Sequence, residues 1–396
     1  MAVERTVGSA QAGLLLFGSC LPVLGAVLIA PVLPRMQAHF AETPGVAVLV
    51  PVALTLPALM IALLAPLAGV LADRVGRRPL LLASMLLYSL CGVLPLWLDA
   101  LGLIVASRAG IGLAEAGIMT CCTTLVGDYF DGQRRERLFA LQMVVTSLSA
   151  ALFMGVGGAL GESDWRTPFA LYAAGLLCLP LMAMLLWEPR AGAVAPAATV
   201  GDGFPWAALA PLYLLTAVAG ISLFIVPVQA GYVLQLLHVD APRQVGLAMG
   251  ANQLGVLAGA LAFRLLARLP ASWLLALGFA TAGAGGGLLA LASSHALVVV
   301  AVLVNGLGVG LLLPTLITRV MQQVGFAQRG RATGGFTAAI FAGEFLSPLL
   351  VLALTAGVAA QLPYALLLVA AGQLVLAPAC LVLMRRGRAA VMAGAR

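Results

Sequence analysis

The chain has 396 residues, 62% of them hydrophobic and 9% charged, with a mean hydropathy of +1.10. Soluble domains carry about 25% charged residues, so this balance excludes a soluble globular protein and indicates an integral membrane one. The net charge of +7 comes wholly from arginine, which excludes nucleotide hydrolysis through a phosphate-binding loop that needs lysine.

Twelve apolar runs of roughly twenty residues or more, each long enough to cross a bilayer, follow one another along the chain. They cover 11–34, 46–68, 80–98, 101–126, 138–160, 168–187, 207–235, 244–265, 272–292, 296–318, 332–356 and 363–384. Ahead of the first run the only basic residue is Arg5, and no small-residue cleavage site stands out. The run therefore reads as a span and not as a cleaved leader.

Between the second and third runs lies Gly69-Val-Leu-Ala-Asp-Arg-Val-Gly-Arg-Arg-Pro79, with one carboxylate, three guanidiniums and two glycines. So short a loop makes its two spans antiparallel neighbours, and its arginines mark it as cytoplasmic. With that loop inside, the arginines sort by side. Inside fall Arg5, Arg74, Arg77, Arg78, Arg134, Arg135, Arg137, Arg190, Arg264, Arg268, Arg319, Arg329, Arg331, Arg385, Arg386, Arg388 and Arg396, and outside only Arg35, Arg166 and Arg243. Both termini are then expected in the cytoplasm.

This loop resembles the conserved loop between the second and third helices of the major facilitator superfamily, G-x-L-a-D-r-x-G-r-k-x-x-l. Gly69, Leu71, Ala72, Asp73, Arg74, Gly76, Arg77 and Leu81 match, and Arg78 stands where the family often has Lys. The resemblance implies a conformational latch made of Gly69, Asp73, Arg74, Gly76, Arg77 and Arg78, with Asp73 paired to Arg77 and Arg78. The charged loop after span 4 (Asp128, Asp131, Arg134, Arg135, Glu136, Arg137) is a candidate to exchange partners with it. A solvated charge run is the competing reading of that loop.

Span 4 carries Arg108 and Glu115, seven residues and two helical turns apart, hence on one face and about 10 Å apart along the axis. Charged side chains at bilayer depth are costly and mark functional positions by default. The span also resembles the family's pattern l-x-x-x-R-x-x-q-G-x-g-a-a at Ile104, Arg108 and Gly112. It departs from that pattern at Ile111, Ala114 and Glu115. The resemblance implies a proton-coupling role for Arg108. Glu115 is either a proton carrier or the neutralising partner that makes Arg108 tolerable, and both readings stand at this point.

In span 5 the drug–proton antiporters of the family carry a glycine-rich pattern ending G-P-x-x-G-G. Phe153-Met154-Gly155-Val-Gly157-Gly158 keeps the final glycine pair and lacks the Gly-Pro. The Ala-, Gly- and Pro-rich stretch after span 6 divides the spans six and six. It sets an N-terminal half at 1–187, a cytoplasmic linker at 188–206 and a C-terminal half at 207–396. Two faint internal repeats agree with such halves. Gly259-Ala-Leu-Ala-Phe263-Arg264 echoes the first loop without its aspartate, and Gly306-Leu-Gly-Val-Gly310 echoes Gly112 to Gly117.

In the second half, Glu344 sits mid-span with no basic residue within two turns. It is expected to carry protons, to bind a cationic substrate, or to be a structural neutral acid. Gln229, Tyr232 and Asn305 are further candidates for substrate binding, because spans 7 and 10 line the cavity in the family. Gln142, Gln235, Asn252 and Gln253 lie at similar depth. The six cysteines fall inside apolar segments without metal-ligand spacing, and the three histidines sit at span ends. No metal, cofactor or nucleic acid is expected, and an enzyme is not expected either, since the histidines are scattered and no span holds an aspartate pair.

The expected architecture is all-α: twelve transmembrane helices in two parallel six-helix repeats. The expected function is secondary active transport across the inner (cytoplasmic) membrane, as proton-coupled efflux of amphipathic or cationic compounds. The alternatives are uptake by proton symport, with an integral membrane enzyme or a non-transporting receptor as remote readings. The expected partners are a small-molecule substrate, protons and the lipid bilayer, with the protein a monomer.

Overall fold

In a computed structural model, which describes residues 7–188, 204–325 and 328–394, the chain is helical throughout, with no strand among those residues. Among the described residues twelve helices are long and apolar enough to cross a membrane. They are Ser9–His39, Val46–Val75, Arg77–Leu96, Leu101–Tyr129, Gly132–Leu160, Thr167–Leu185, Trp206–Leu236, Pro242–Leu266, Ala271–Ala290, His295–Gln322, Arg329–Thr355 and Ala359–Val382, here spans 1 to 12. Most of the expected linker, residues 189–203, lies outside the described residues, as do Arg5, Arg190 and Arg396.

Most spans are longer than their apolar runs. Span 2 reaches Val75 and not residue 68, so at 1.5 Å per residue it outruns a hydrocarbon layer of about 30 Å. Asp73 and Arg74 thus stand on the last helical turn and not in a loop. Prolines account for the irregular stretches. Span 1 is α-helical from Ser9 to Val27, tightens to a 3-10 turn at Ala30–Val32 beside Pro31, and resumes at Leu33–His39. Span 6 starts as a 3-10 helix at Thr167–Ala173, with Pro168 in its first turn. At Gly76 (φ +102) the chain turns from span 2 straight into span 3, a left-handed conformation that only glycine adopts at low cost.

The helix contacts repeat with a period of six. In the first half span 4 packs on spans 1, 2 and 3, span 1 on span 5, and span 3 on span 6. In the second half span 10 packs on spans 7, 8 and 9, span 7 on span 11, and span 9 on span 12. The two main seams between the halves, span 5 on span 8 and span 2 on span 11, exchange under the same shift. Two parallel six-helix repeats give this pattern. The glycine echo seen in the sequence sits on equivalent seams, Gly112 against Pro57 of span 2 and Gly306 and Gly310 against Asn252 and Val256 of span 8. Small residues let backbones approach there.

Candidate functional site

A cavity of about 640 Å³ lies between the halves, lined from spans 1, 2, 4, 5, 7, 8, 10 and 11. Its walls are mostly apolar. Span 5 presents Phe139, Gln142, Met143, Thr146, Ser147 and Ala150, a single stripe at helical spacing, and span 11 presents Thr333, Thr337, Phe341 and Glu344 in the same way. Gln142 was legible as a candidate from the sequence, whereas Thr146 and Ser147 were not singled out. Their position one helical turn beyond Gln142 was the available signal.

The lining reaches Thr123, Phe139 and Thr333, close to the arginine-bearing ends of spans 4, 5 and 11. At the opposite end the halves close on each other. Gly158 of span 5 abuts the Pro242 carbonyl of span 8, and Gly246 of span 8 abuts that of Met154. The cavity therefore opens towards the arginine-rich face and is sealed from the other.

Among the described residues Glu115 and Glu344 are the only charged ones that line it, one from each half. Glu344 is 5% exposed. Both carboxyl oxygens of Glu115 are buried without a hydrogen-bond partner among the described residues. An ionised carboxylate in that place has no compensating donor.

Arg108 is fully buried behind this wall and does not line the cavity. Its guanidinium donates from Nε to the Ala53 carbonyl at 3.0 Å, from Nη1 to the Tyr172 hydroxyl at 2.7 Å and from Nη2 to the Gly25 carbonyl at 2.5 Å. The Tyr172 ring lies 5.3 Å from the guanidinium carbon, and its neighbour Tyr88 donates to the Leu21 carbonyl at 2.6 Å. Among the described residues Arg108 makes no ion pair, with Glu115 or any other acid. The two share a face of span 4 as their spacing requires, but the cation is held by neutral oxygens.

At the arginine-rich end, Arg77 Nη2 meets Asp73 Oδ1 at 3.1 Å and Arg77 Nε meets Asp128 Oδ2 at 3.2 Å. Asp73 is largely exposed, so its own pair contributes little. Arg78 does not pair with Asp73 but donates to the Ala183 carbonyl at 2.5 Å. Arg74 is exposed. Of the charged run expected as a loop after span 4, Asp128 stands on the last turn of span 4 and joins the arginines, while Arg134, on the first turn of span 5, stacks over Phe130 at 4.8 Å.

The strongest anchor here is one the sequence reading did not assign. Glu188, just beyond span 6, accepts from the backbone N–H groups of Arg77 and Arg78 at 2.8 Å each. It thereby satisfies two free amides at the start of span 3, where an anion is favoured. The signal for it was an acid immediately after the last apolar turn of span 6. Replacing Glu188 with alanine is expected to cost about 1 kcal/mol of stability, as loss of a helix cap does, and to free the start of span 3. Amide hydrogen exchange at Arg77 and Arg78 should rise several-fold. Unchanged exchange would remove Glu188 from the latch.

Gln229 and Tyr232 line a different, smaller pocket near the sealed end, with Gln37, Pro51 and Thr355. The Tyr232 hydroxyl is buried without a partner among the described residues. Asn305 is also away from the cavity. It donates to the Ala282 carbonyl at 3.0 Å and lies 3.5 Å from the Asn252 amide, bracing spans 8, 9 and 10. The structure thus brings Glu115 and Glu344 together in one cavity and leaves Gln229, Tyr232 and Asn305 outside it.

Comparison with known proteins adds to this geometry. The sequence profile of the Major Facilitator Superfamily matches residues 15–240. The tetracycline resistance protein, class C, of Escherichia coli is 36% identical over 179 residues, a stretch that takes in 43% of this chain and 43% of that relative. The quinolone resistance protein NorA of Staphylococcus aureus is 25% identical over 181 residues, 46% of each chain. These alignments thus span less than half the length of the curated relatives. Among solved structures, a bacterial homologue of the human lysosomal transporter Spinster, inward-facing and occupied, superposes with a TM-score of 0.78 at 15% identity, over 96% of this chain and 97% of that one. The nucleoside transporter NupG gives 0.70 at 15% identity, over 93% and 99%. At such identities these two likenesses are likenesses of fold.

Proposed function

The chain belongs to the major facilitator superfamily, and we propose that it exports amphipathic or cationic small molecules in exchange for protons by alternating access. One observation carries this reading. The cavity between the halves is mostly apolar and, among the described residues, its only charged ones are two carboxylates, while the deep cation Arg108 does not line it and bonds through each of its nitrogens to neutral oxygens. A site of that kind favours cations and apolar bodies and gives an anion no counter-charge. The named resistance proteins among its relatives support the same direction.

In this reading Glu344 meets the substrate and exchanges protons, Glu115 is the more enclosed proton carrier, and Arg108 keeps the spans around Glu115 in register. The loop Gly69, Asp73, Arg74, Gly76, Arg77 and Arg78, with Asp128 and Glu188, ties the arginine-rich ends of spans 2, 3, 4 and 6 and parts or re-forms as the halves rock. Gln229 and Tyr232 would meet the substrate only when the sealed end opens. The halves are 1–187 and 207–396, joined by the linker 188–206. The protein sits as a monomer in the inner membrane with both termini in the cytoplasm, so the cavity shown faces the cytoplasm.

The test uses purified protein in liposomes with a pH dye inside and an imposed pH gradient, offered ethidium, tetracycline and a small organic anion in turn. Proton flow opposite to ethidium or tetracycline flow is the expected result. Flow in the same direction would establish symport instead, and substrate movement without protons would overturn the coupling.

A further inference from the structure

Gly25 of span 1 touches both the unpaired acid and the buried cation. On one side of Gly25, its carbonyl accepts Arg108 Nη2 at 2.5 Å and lies 3.4 Å from the Tyr172 hydroxyl. On the other side, Glu115 packs directly on its Cα. A Cβ built there would coincide with Glu115 Oε1 and lie 2.9 Å from the carboxyl carbon, with Ile111 Cγ2 at 3.4 Å. Ile111 and Glu115 are four residues apart and Arg108 three before Ile111, so one face of span 4 presents all three to this residue.

We propose that Gly25 is the positioning residue for Glu115: lacking a side chain, it seats the carboxyl against span 1, enclosed and without a hydrogen-bond donor, while its carbonyl holds Arg108. Acid and cation then occupy two sides of one residue without pairing. The titratable or charged groups around this seat are Arg108, Tyr88 and Tyr172 on the protein side and Glu344 from the other half, across the cavity. None of them donates a hydrogen bond to Glu115.

The obstruction that a side chain at position 25 would meet is the far end of a flexible one. Gly25→Ala is therefore expected to fold and to move the carboxyl, not the backbone. The route open to it is into the cavity that Glu115 lines, where water can supply a hydrogen bond. Aspartate at position 115 is shorter by one C–C bond of about 1.5 Å, so Glu115→Asp in the Gly25→Ala background gives the acid room beneath the new methyl group. The inference rests on Glu115 being a titrating group of the transport cycle, as proposed above.

Difference infrared spectroscopy on the purified full-length protein reads the seat directly, because a carboxylic C=O without a hydrogen bond absorbs at higher frequency than a bonded one. The Glu115 band is the one lost in Glu115→Gln. In the wild type it should lie at the high-frequency edge of the carboxyl region. In Gly25→Ala that high-frequency band should be lost and replaced by a lower one, and Gly25→Ala with Glu115→Asp should restore it. Should Gly25→Ala fail to fold, the double variant should recover folding.

An unmoved band in Gly25→Ala, or a double variant no closer to the wild type than the single one, would overturn the seat. A purely structural glycine would change yield and melting without moving the band. The reading of Glu115 as a proton carrier fails separately, through an unaltered proton flux in Glu115→Gln.

Discussion

Replacing Arg108 with alanine is expected to lower the stability of the protein by about 3–5 kcal/mol, because it strands several buried polar groups at about 1–3 kcal/mol each. The side chain is completely buried and spends its donors on Ala53 of span 2, Gly25 of span 1 and Tyr172 of span 6. Truncation leaves two backbone carbonyls and a hydroxyl facing each other in an apolar interior, each at a cost of about 1–3 kcal/mol. Lysine does not rescue it. A single ammonium lacks the planar fork that reaches three oxygens on three helices. Thermal unfolding of the purified protein in detergent should therefore rank wild type far above Arg108→Lys and Arg108→Ala. If Arg108→Ala melts like the wild type while transport stops, the arginine acts in proton transfer and not in holding spans 1, 2 and 6 around span 4.

That balance also shows what a sequence conveys and what it withholds. The spans were legible because twenty apolar residues in a row have one stable solution in lipid. The repeat was legible at Gly112 and Gly306, since tight backbone contacts constrain residue size. The two glutamates were legible through the cost of charge at depth. What one-dimensional spacing does not give is the direction a helix face points once it is packed. Arg108 and Glu115 share a face, yet the shared neighbour between them, Gly25, belongs to another helix.

Spacing is likewise silent about where along a span the seal falls. Gln229 and Tyr232 fall near the Leu236 end of span 7, on the closed side and in their own pocket, whereas Leu223 and Phe224 nearer its middle line the cavity. Asn305 turned inward to its neighbouring helices for the same reason that made it a candidate, since a buried amide takes whichever carbonyl is in reach. Glu188 escaped notice because its partners are backbone amides far along the chain, which leave no side-chain signature.

The two acids should fail differently when each is neutralised. Glu344→Gln removes a charge at the cavity wall, on the same helical stripe as Phe341, Thr337 and Thr333. Ethidium should bind about tenfold more weakly, corresponding to about 1.4 kcal/mol, because one unit charge has lost its counterpart at a partly shielded site. A neutral compound of similar shape should bind as before.

Glu115→Gln leaves the cavity wall nearly isosteric and keeps the three bonds of Arg108, since none of them is to the acid. Ethidium binding should therefore stay within about threefold of the wild type, a difference of under 1 kcal/mol. Uphill, gradient-driven movement should be lost, while downhill exchange across liposomes without a pH gradient persists. The pair of assays separates the roles because binding and exchange do not need a titrating group, whereas accumulation against a gradient does. Accumulation retained in Glu115→Gln would move the proton site to Glu344 alone. Equal loss of ethidium and of its neutral analogue in Glu344→Gln would make that residue a structural part of span 11, and the charge argument for cationic substrates would fall with it.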